Sequence, residues 1–384
     1  MLSRRIRFAA LCALVIIVMA FAMPAGAQSR REIKIPDVPG YRVLKFDLHM
    51  HTVFSDGKVW PTIRVQEAWR EGLDGISITD HIEYVPFKKD IPVNYNRPYE
   101  IALPEAEKLG ILLIRGAEIT RNMPPGHINA IFLEDVDRLN TEKWEDAVKA
   151  AFDQKAFIFW NHPGWKGQQP DGIAKWYDEH TMMLEKGWMH GIEIVNEFEY
   201  YADAHQWCLE KNRTMVGNSD VHDPIAMAYD PMKGESRPLT LVLAKEKTLE
   251  SVREALFAGR TVVYWKNSLM GRAEHLSPIF NQSVAIEKTT VEIKPKGRAY
   301  FQIRNISEIE YELELAGSVA DFDAPKTLTI PAERTVVFYL RSLKEDAKGQ
   351  VKPDLPYVVK NLKTAPDAGL PVTFPVTVNF IAAE

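Results

Sequence analysis

Val43-Leu44-Lys45-Phe46-Asp47-Leu48-His49-Met50-His51-Thr52 opens on a short apolar run and closes on two histidines one residue apart. Residues 43–47 read as a β-strand. Histidines two apart on or just past a strand project the same way and can share one metal ion. Taken alone the pair is weak evidence, because two polar residues on one sheet face explain it equally well. The pattern around it adds weight. Short apolar runs at 75–79, 111–114, 128–133, 156–160, 191–195, 214–216 and 239–243 read as strands. Between them 61–71, 98–109, 141–154, 172–186, 202–212 and 249–258 read as helices, several opened by Pro or Thr. Alternating strands and helices predict an α/β fold with a largely parallel sheet, either doubly wound or closed into a barrel.

Six of the ten histidines fall at the edges of these strands in the company of Asp or Glu. Thr79-Asp80-His81 ends the second strand, the third runs into Gly116-Ala117-Glu118, and His127 opens the fourth. Asn161-His162-Pro163 and Asn218-Ser219-Asp220-Val221-His222 follow two later ones. Strand C-termini converge on one face of a parallel barrel, where catalytic groups assemble. Imidazole and carboxylate are ligands that suit Zn, Mn and Fe. The set therefore predicts a polynuclear metal centre rather than separately satisfied histidines. His180, His190, His205 and His275 lack carboxylate company and read as non-ligands. Neither a Gly-x-Ser-x-Gly elbow nor a Gly-x-x-x-x-Gly-Lys-[Ser/Thr] phosphate loop occurs, which is consistent with chemistry carried by metal ions.

The series Asp47-Leu48-His49-Met50-His51-Thr52-Val53-Phe54-Ser55-Asp56-Gly57, Asp80-His81, Glu118, His127, Asn161-His162-Pro163 and Ser219-Asp220-Val221-His222 resembles the motifs of the PHP family of metal-dependent phosphoesterases over residues 46–265. The whole chain is similar to secreted Sb-PDE-type phosphodiesterases. The resemblance implies a distorted (β/α)7 barrel holding two or three divalent ions, Mn, Zn or Fe. It further implies that His49, His51, Glu118 and Asp220 bind one ion, and that Glu118 bridges to a second held by His127 and His162. Asp56, His81 and His222 would hold a third. A hydroxide between two ions then serves as nucleophile while an ion polarises the phosphoryl oxygens. Asp80 is the candidate for orienting an imidazole or handling a proton, with turn capping as the competing reading. Arg121 and Lys166 are candidate phosphate contacts, with a solvated surface role competing for each. Trp165 is a candidate for stacking on substrate, whereas Trp160 inside a strand reads as core.

The chain has 384 residues, enough for two domains. Residues 1–27 read as an export signal: Arg4, Arg5 and Arg7, an apolar run from Phe8 to Met23, then Pro24-Ala25-Gly26-Ala27. The alternative, an uncleaved anchor, needs about 20 apolar residues to span a bilayer. Cleavage removes Cys12 and leaves Cys208 alone, and loss of the three arginines takes the net charge from -5 to -8. An acidic chain without a basic run does not hold a long polyanion, so bulk nucleic acid is not an expected partner. Periplasmic export is the expected localisation, with no membrane association after cleavage. The further division is a lead-in over 28–42, the barrel over 43–266, a linker over 267–281 and a small C-terminal β-sandwich over 282–384. Every candidate ligand precedes residue 281, so chemistry separable from the sandwich is expected. The expected function is hydrolysis of small phosphate esters, diesters above all. Phosphomonoester hydrolysis, amide or lactone hydrolysis and a non-catalytic metal-binding role stand as alternatives.

Overall fold

A computed structural model describes residues 29–381. The expected signal peptide and Cys12 lie outside the described residues. The barrel strands are β1 (Arg42–Asp47), β2 (Gly75–Ile78), β3 (Leu112–Ile119), β4 (Ile128–Ile131), β5 (Phe157–Trp160), β6 (Gly191–Asn196) and, after the short β7 (Glu199–Tyr200), β8 (Thr214–Asn218). Every residue of β2, β4, β5, β6 and β8 is buried, as expected for sheet strands covered on both faces. The helices that cover them are α1 (Pro61–Arg70), α2 (Arg97–Leu109), α3 (Trp144–Asp153), α4 (Asp178–Glu185) and α5 (Ala202–Glu210). The helix expected over 172–186 starts only at Asp178, because Gly172 adopts a left-handed φ of 72° and the chain before it is spent on turns.

The pairs β1–β2, β2–β3, β5–β6 and β6–β8 are parallel, whereas β3–β4 and β4–β5 are antiparallel. For β3–β4 the reason is chain length. The connection from Ile119 to Ile128 is too short for the crossover of a dozen or more residues that a parallel pair requires. No continuous ladder joins β8 to β1. Their extensions meet instead: the Asp220 amide donates to the His49 carbonyl (2.9 Å), and the His51 amide to the Val221 carbonyl (3.1 Å). The ring is thus drawn together at the end that carries the ligands.

After α6 (Ile225–Ala228) the sheet continues outward through β9 (Leu239–Ala244), which is antiparallel to β1. Then, past α7 (Leu249–Phe257), come β10 (Thr261–Trp265) and β11 (Ser268–Gly271). The linker expected over 267–281 is a correction: it is β11 and most of α8 (Ala273–Ser283), whose Leu276, Ile279 and Phe280 are buried. Strand β11 is covered on its free edge by β20 (Pro356–Ala365), with Leu269 opposite Leu362, so the two domains share one sheet.

The C-terminal domain has three sheets. One is the continuation through β20 to β15 (Tyr311–Leu315), β17 (Thr327–Ile330) and β21 (Ala368–Thr373). The second contains β12 (Val284–Ile286), β14 (Arg298–Asn305), β16 (Phe322–Asp323) and β18 (Thr335–Ser342). The third contains β13 (Thr290–Ile293), β19 (Gly349–Val351) and β22 (Thr377–Phe380). Strand β14 shows the expected period of two, with Ala299, Phe301 and Ile303 inward. Phe280 of α8 packs edge-on against Tyr311 at 5.1 Å. The lead-in adds a second tie between the domains through the Arg31–Glu308 ion pair at 2.9 Å. Among the described residues no helix is long and apolar enough to cross a membrane.

Candidate metal centre

Strand β1 ends at Asp47, whose buried carboxylate accepts from Ser219 Oγ (2.5 Å) and Arg237 Nη1 (2.9 Å). The end of β1 is thereby pinned to the segment that carries Asp220. The loop after His51 folds back over it: a Cβ on Gly57 would lie 2.5 Å from the His51 carbonyl carbon, so only glycine fits there. Asp80 holds that loop. Its two oxygens accept from the Thr52 amide, the Thr52 hydroxyl and the Ser55 hydroxyl, each at 2.6 Å. Both oxygens are occupied, which makes Asp80 the support of the loop bearing Asp56, as the capping alternative expected.

The fully buried Arg64 of α1 ties the two ligand-bearing loops together. Its guanidinium donates to the carbonyls of His51, Val221, His222 and Asp223 over 2.8–2.9 Å, and to Glu67 Oε2 at 2.8 Å. Glu67 Oε1 in turn accepts the Ile225 amide (2.8 Å). His162, Asp220 and the nearby Glu197 have positive φ (26°, 51° and 48°), backbone strain held by their own amides, which donate to Glu193 Oε2, the His49 carbonyl and the Asn218 carbonyl respectively.

The side chains form three groups of metal-ligand spacing, each within 4.8 Å. In the first, His49 Nε2 lies 2.8 Å from Glu118 Oε2 and 3.1 Å from Asp220 Oδ1. His51 Nε2 lies 2.9 Å from the same Asp220 oxygen and 3.3 Å from the same Glu118 oxygen. A tetrahedron of ~2.1 Å metal–ligand bonds has edges of ~3.4 Å, so these four atoms nearly enclose one ion. The second oxygen of Glu118 faces the next group, 2.5 Å from His127 Nδ1 and 3.5 Å from His81 Nδ1. In the third, Asp56 Oδ1 lies 3.2 Å from His222 Nε2 and 3.4 Å from His81 Nε2. His162, expected beside His127, is at the edge of the set, its Nε2 3.8 Å from Asp220 Oδ2 and its ring 4.9 Å from that of His127.

Three buried atoms that aim into these groups, Asp56 Oδ1, Glu118 Oε1 and His127 Nδ1, make no hydrogen bond of proper geometry among the described residues: their near neighbours are one another and the ring nitrogens of His81 and His222. Orphans of this kind are costly unless a ligand fills them, and the donor set of imidazole and carboxylate fits divalent ions. The electrostatics agree. Burial penalises the His49 imidazolium, yet Asp220 and Glu193 hold its pKa well above the ordinary value. His81 behaves the same way, with Glu118 and Asp56 outweighing burial to hold it at about 10. Burial opposes the charge of Glu118, but His81 and His127 keep it ionised far below its usual range. Protons on the imidazoles thus occupy the place that cations would take, and ion binding would release them. His162 is the exception: burial and the adjacent His127 push it down to about 3.

Arg121 is drawn away from this centre. Its guanidinium pairs with Glu83 (2.7 Å) and donates to the carbonyls of Thr141 and Glu142, which corrects its expected role as a phosphate contact. Lys166 is largely exposed and faces Glu199 at 3.6 Å. Trp160 is core and stacks on His180 at 3.7 Å, whereas Trp165 is exposed beside His127 and His162. Sequence reasoning missed Glu193. It lies in the middle of β6, fully buried, and its Oε1 faces His49 Nδ1 at 2.8 Å while its Oε2 accepts the His162 amide at 2.8 Å. The one signal available was an acidic residue inside an otherwise apolar run. Arg64 carried no signal, since arginine on a helix reads as solvated.

A cavity of about 470 Å³ opens over the three groups, walled by Tyr84, Asn122, Trp165, Gln168 and Glu197 besides the ligands. Desolvation at its mouth and the Asp220 carboxylate push the Glu197 carboxyl up to about 7.

Comparison with known proteins places this geometry. Residues 47–229 match the PHP domain, and residues 284–375 match an Ig-like domain. A two-domain protein of Bacteroides vulgatus, described as containing a predicted PHP-like metal-dependent phosphoesterase, is 44% identical in a superposition covering 91% of this chain and all of that one, with a TM-score of 0.87. An uncharacterized protein of Methanocaldococcus jannaschii is 37% identical over 87 residues, 22% of this chain. The matched stretch spans 37% of that relative's length.

Proposed function

Since this chain belongs to the PHP-domain family, we propose that it is a metal-dependent phosphoesterase that prefers diesters and acts outside the cytoplasm, exported by residues 1–27. The observation that carries the reading is Glu118. It is wholly buried, and its two oxygens serve two different histidine groups, the arrangement that sets two ions side by side. When bound, such ions supply Lewis acidity toward a phosphoryl oxygen and activate water.

The protein's own residues do the rest. His49, His51, Asp220 and Glu118 would hold one ion, and Glu118 with His127 the next, where His81 stands in the same group and His162 at its edge. Asp56, His81 and His222 would hold a third. Glu193 fixes the ring of His49 through Nδ1, so that Nε2 presents its lone pair to the ion. Thr120 Oγ1 lies 2.6 Å from His81 Nδ1 and does the same for that ring, leaving Nε2 for Asp56's group. Diester preference is supported by charge: among the described residues no Lys or Arg lines the cavity, so a monoester dianion finds no ammonium or guanidinium there.

The test joins elemental analysis to kinetics on bis(p-nitrophenyl) phosphate and p-nitrophenyl phosphate. Two to three divalent ions per chain and a higher kcat/KM for the diester are expected. One ion or none at full occupancy refutes the polynuclear centre, and a tenfold monoester preference refutes the diesterase reading.

A further inference from the structure

The cavity over the ligands has an outer wall that the chemistry at phosphorus does not use. Tyr84 is 53% exposed, with its ring 5.9 Å from that of His81. Trp165 is 44% exposed, with its ring 5.4 Å from that of His162 and 5.6 Å from that of His127. The indole is seated rather than loose. A Cβ on Gly167 would meet its ring at 2.4–2.7 Å, so glycine lets the indole lie close against the loop. Glu197 completes the wall. Its amide donates to the Asn218 carbonyl (3.2 Å), which fixes its backbone at the end of β8. Among the described residues nothing donates a hydrogen bond to its carboxylate.

Arg121 is engaged with Glu83, Lys166 with Glu199 and Lys58 with Asp223 at 2.7 Å, and the imidazoles that act on Glu197, His222 and His49, face the ligand groups. Two open π faces and one unpaired carboxylate are the elements that recognise an organic cation.

Resting on the phosphoesterase reading, we propose that Tyr84, Trp165 and Glu197 form the subsite for the alcohol part of the substrate, and that it takes an alcohol bearing a quaternary ammonium. In that reaction the P–O bond to the alcohol breaks, the oxygen of water takes its place on phosphorus, and a proton from that water ends on the alcohol oxygen.

The test compares phosphocholine with 3,3-dimethylbutyl phosphate, which has the same shape without the charge. Binding to the full-length, metal-loaded protein is measured by calorimetry at pH 8.5, where Glu197 is ionised, and at low salt. Phosphocholine should bind about tenfold more tightly. Glu197→Gln should reduce that ratio to about twofold, and Trp165→Leu should reduce it as well. Equal affinities in the wild-type protein, or a ratio that neither variant changes, would overturn the proposal. Because calorimetry needs no turnover, failure to hydrolyse any ester would count against the phosphoesterase reading alone, while the affinity ratio still decides the subsite.

Discussion

Replacing Glu193 by Gln removes one charge and no volume, and the hydrogen bonds around it set the cost. The two carboxylate oxygens accept four hydrogen bonds. Oε1 takes His49 Nδ1 (2.8 Å) and Asn218 Nδ2 (2.9 Å); Oε2 takes the His162 amide (2.8 Å) and Asn196 Nδ2 (2.9 Å). Glutamine offers one oxygen, so two donors must face an NH2 group. If that group faces His162 and Asn196, two buried donors lose their acceptor. If it faces His49, the ring must turn its Nδ1 lone pair toward it and carry its proton on Nε2, the atom that faces Glu118 and Asp220. A protonated Nε2 cannot bind a metal. An unsatisfied buried donor costs about 1–3 kcal/mol, so a loss of about 2–6 kcal/mol in stability is expected in the first orientation and about 1–3 kcal/mol in the second, where the Asn218 side-chain amide alone is stranded. Loss of such an orienting partner typically weakens metal affinity by about 10–100-fold. Urea denaturation of the metal-free variant reads the first quantity, and competition with a chelator of known affinity reads the second. A variant within about 0.5 kcal/mol of wild type that keeps its metal affinity would show that Glu193 neither satisfies those donors nor sets the tautomer of His49.

Glu118→Gln should lower turnover by at least about two orders of magnitude, because an amide nitrogen replaces one of the two oxygens that serve separate histidine groups. Near wild-type rates with full metal content in steady-state assays would contradict that role. A fragment of residues 28–281 should aggregate rather than retain activity, since the cut falls inside α8 and strips β20 from β11, exposing Leu276, Ile279 and Phe280. A monodisperse, active fragment by gel filtration would refute this. Burial pushes His180 and His205 down to about 4, well below an unfolded value near 6.5. The unfolded chain therefore binds more protons between those values, and stability is lost as pH falls through that window. Between pH 6.5 and 5 the loss should be about 2 kcal/mol for each of the two. Denaturation midpoints measured in chelator should show this slope, and His180→Gln should remove its own share of it, leaving that of His205 and of His190, which is also pushed down to about 4; a flat wild-type profile would rule it out.

The histidines and carboxylates of the centre were legible from sequence, because a ligand is defined by residue type and by its place at a strand end, both local properties. The alternation of apolar runs and helix-period segments fixed most barrel elements for the same reason. The strand β20 escaped notice because Lys360, Asn361 and Lys363 interrupt its apolar pattern; Asn361 is there to donate to the carbonyls of Asn267 and Glu310. The apparent linker failed similarly, since the burial of Leu276 and Phe280 depends on a domain that comes later in the chain. What the centre rests on was decided by tertiary structure alone. His49 and Glu193 are 144 residues apart, and Arg64 reaches carbonyls 157–159 residues away. Arg121 stood at a plausible distance along the chain from Glu118, yet its guanidinium is held by Glu83 and two carbonyls. The chemistry a side chain is capable of is written in its residue type, but which donor or acceptor it meets depends on strand pairing between distant segments, and only the folded chain sets that.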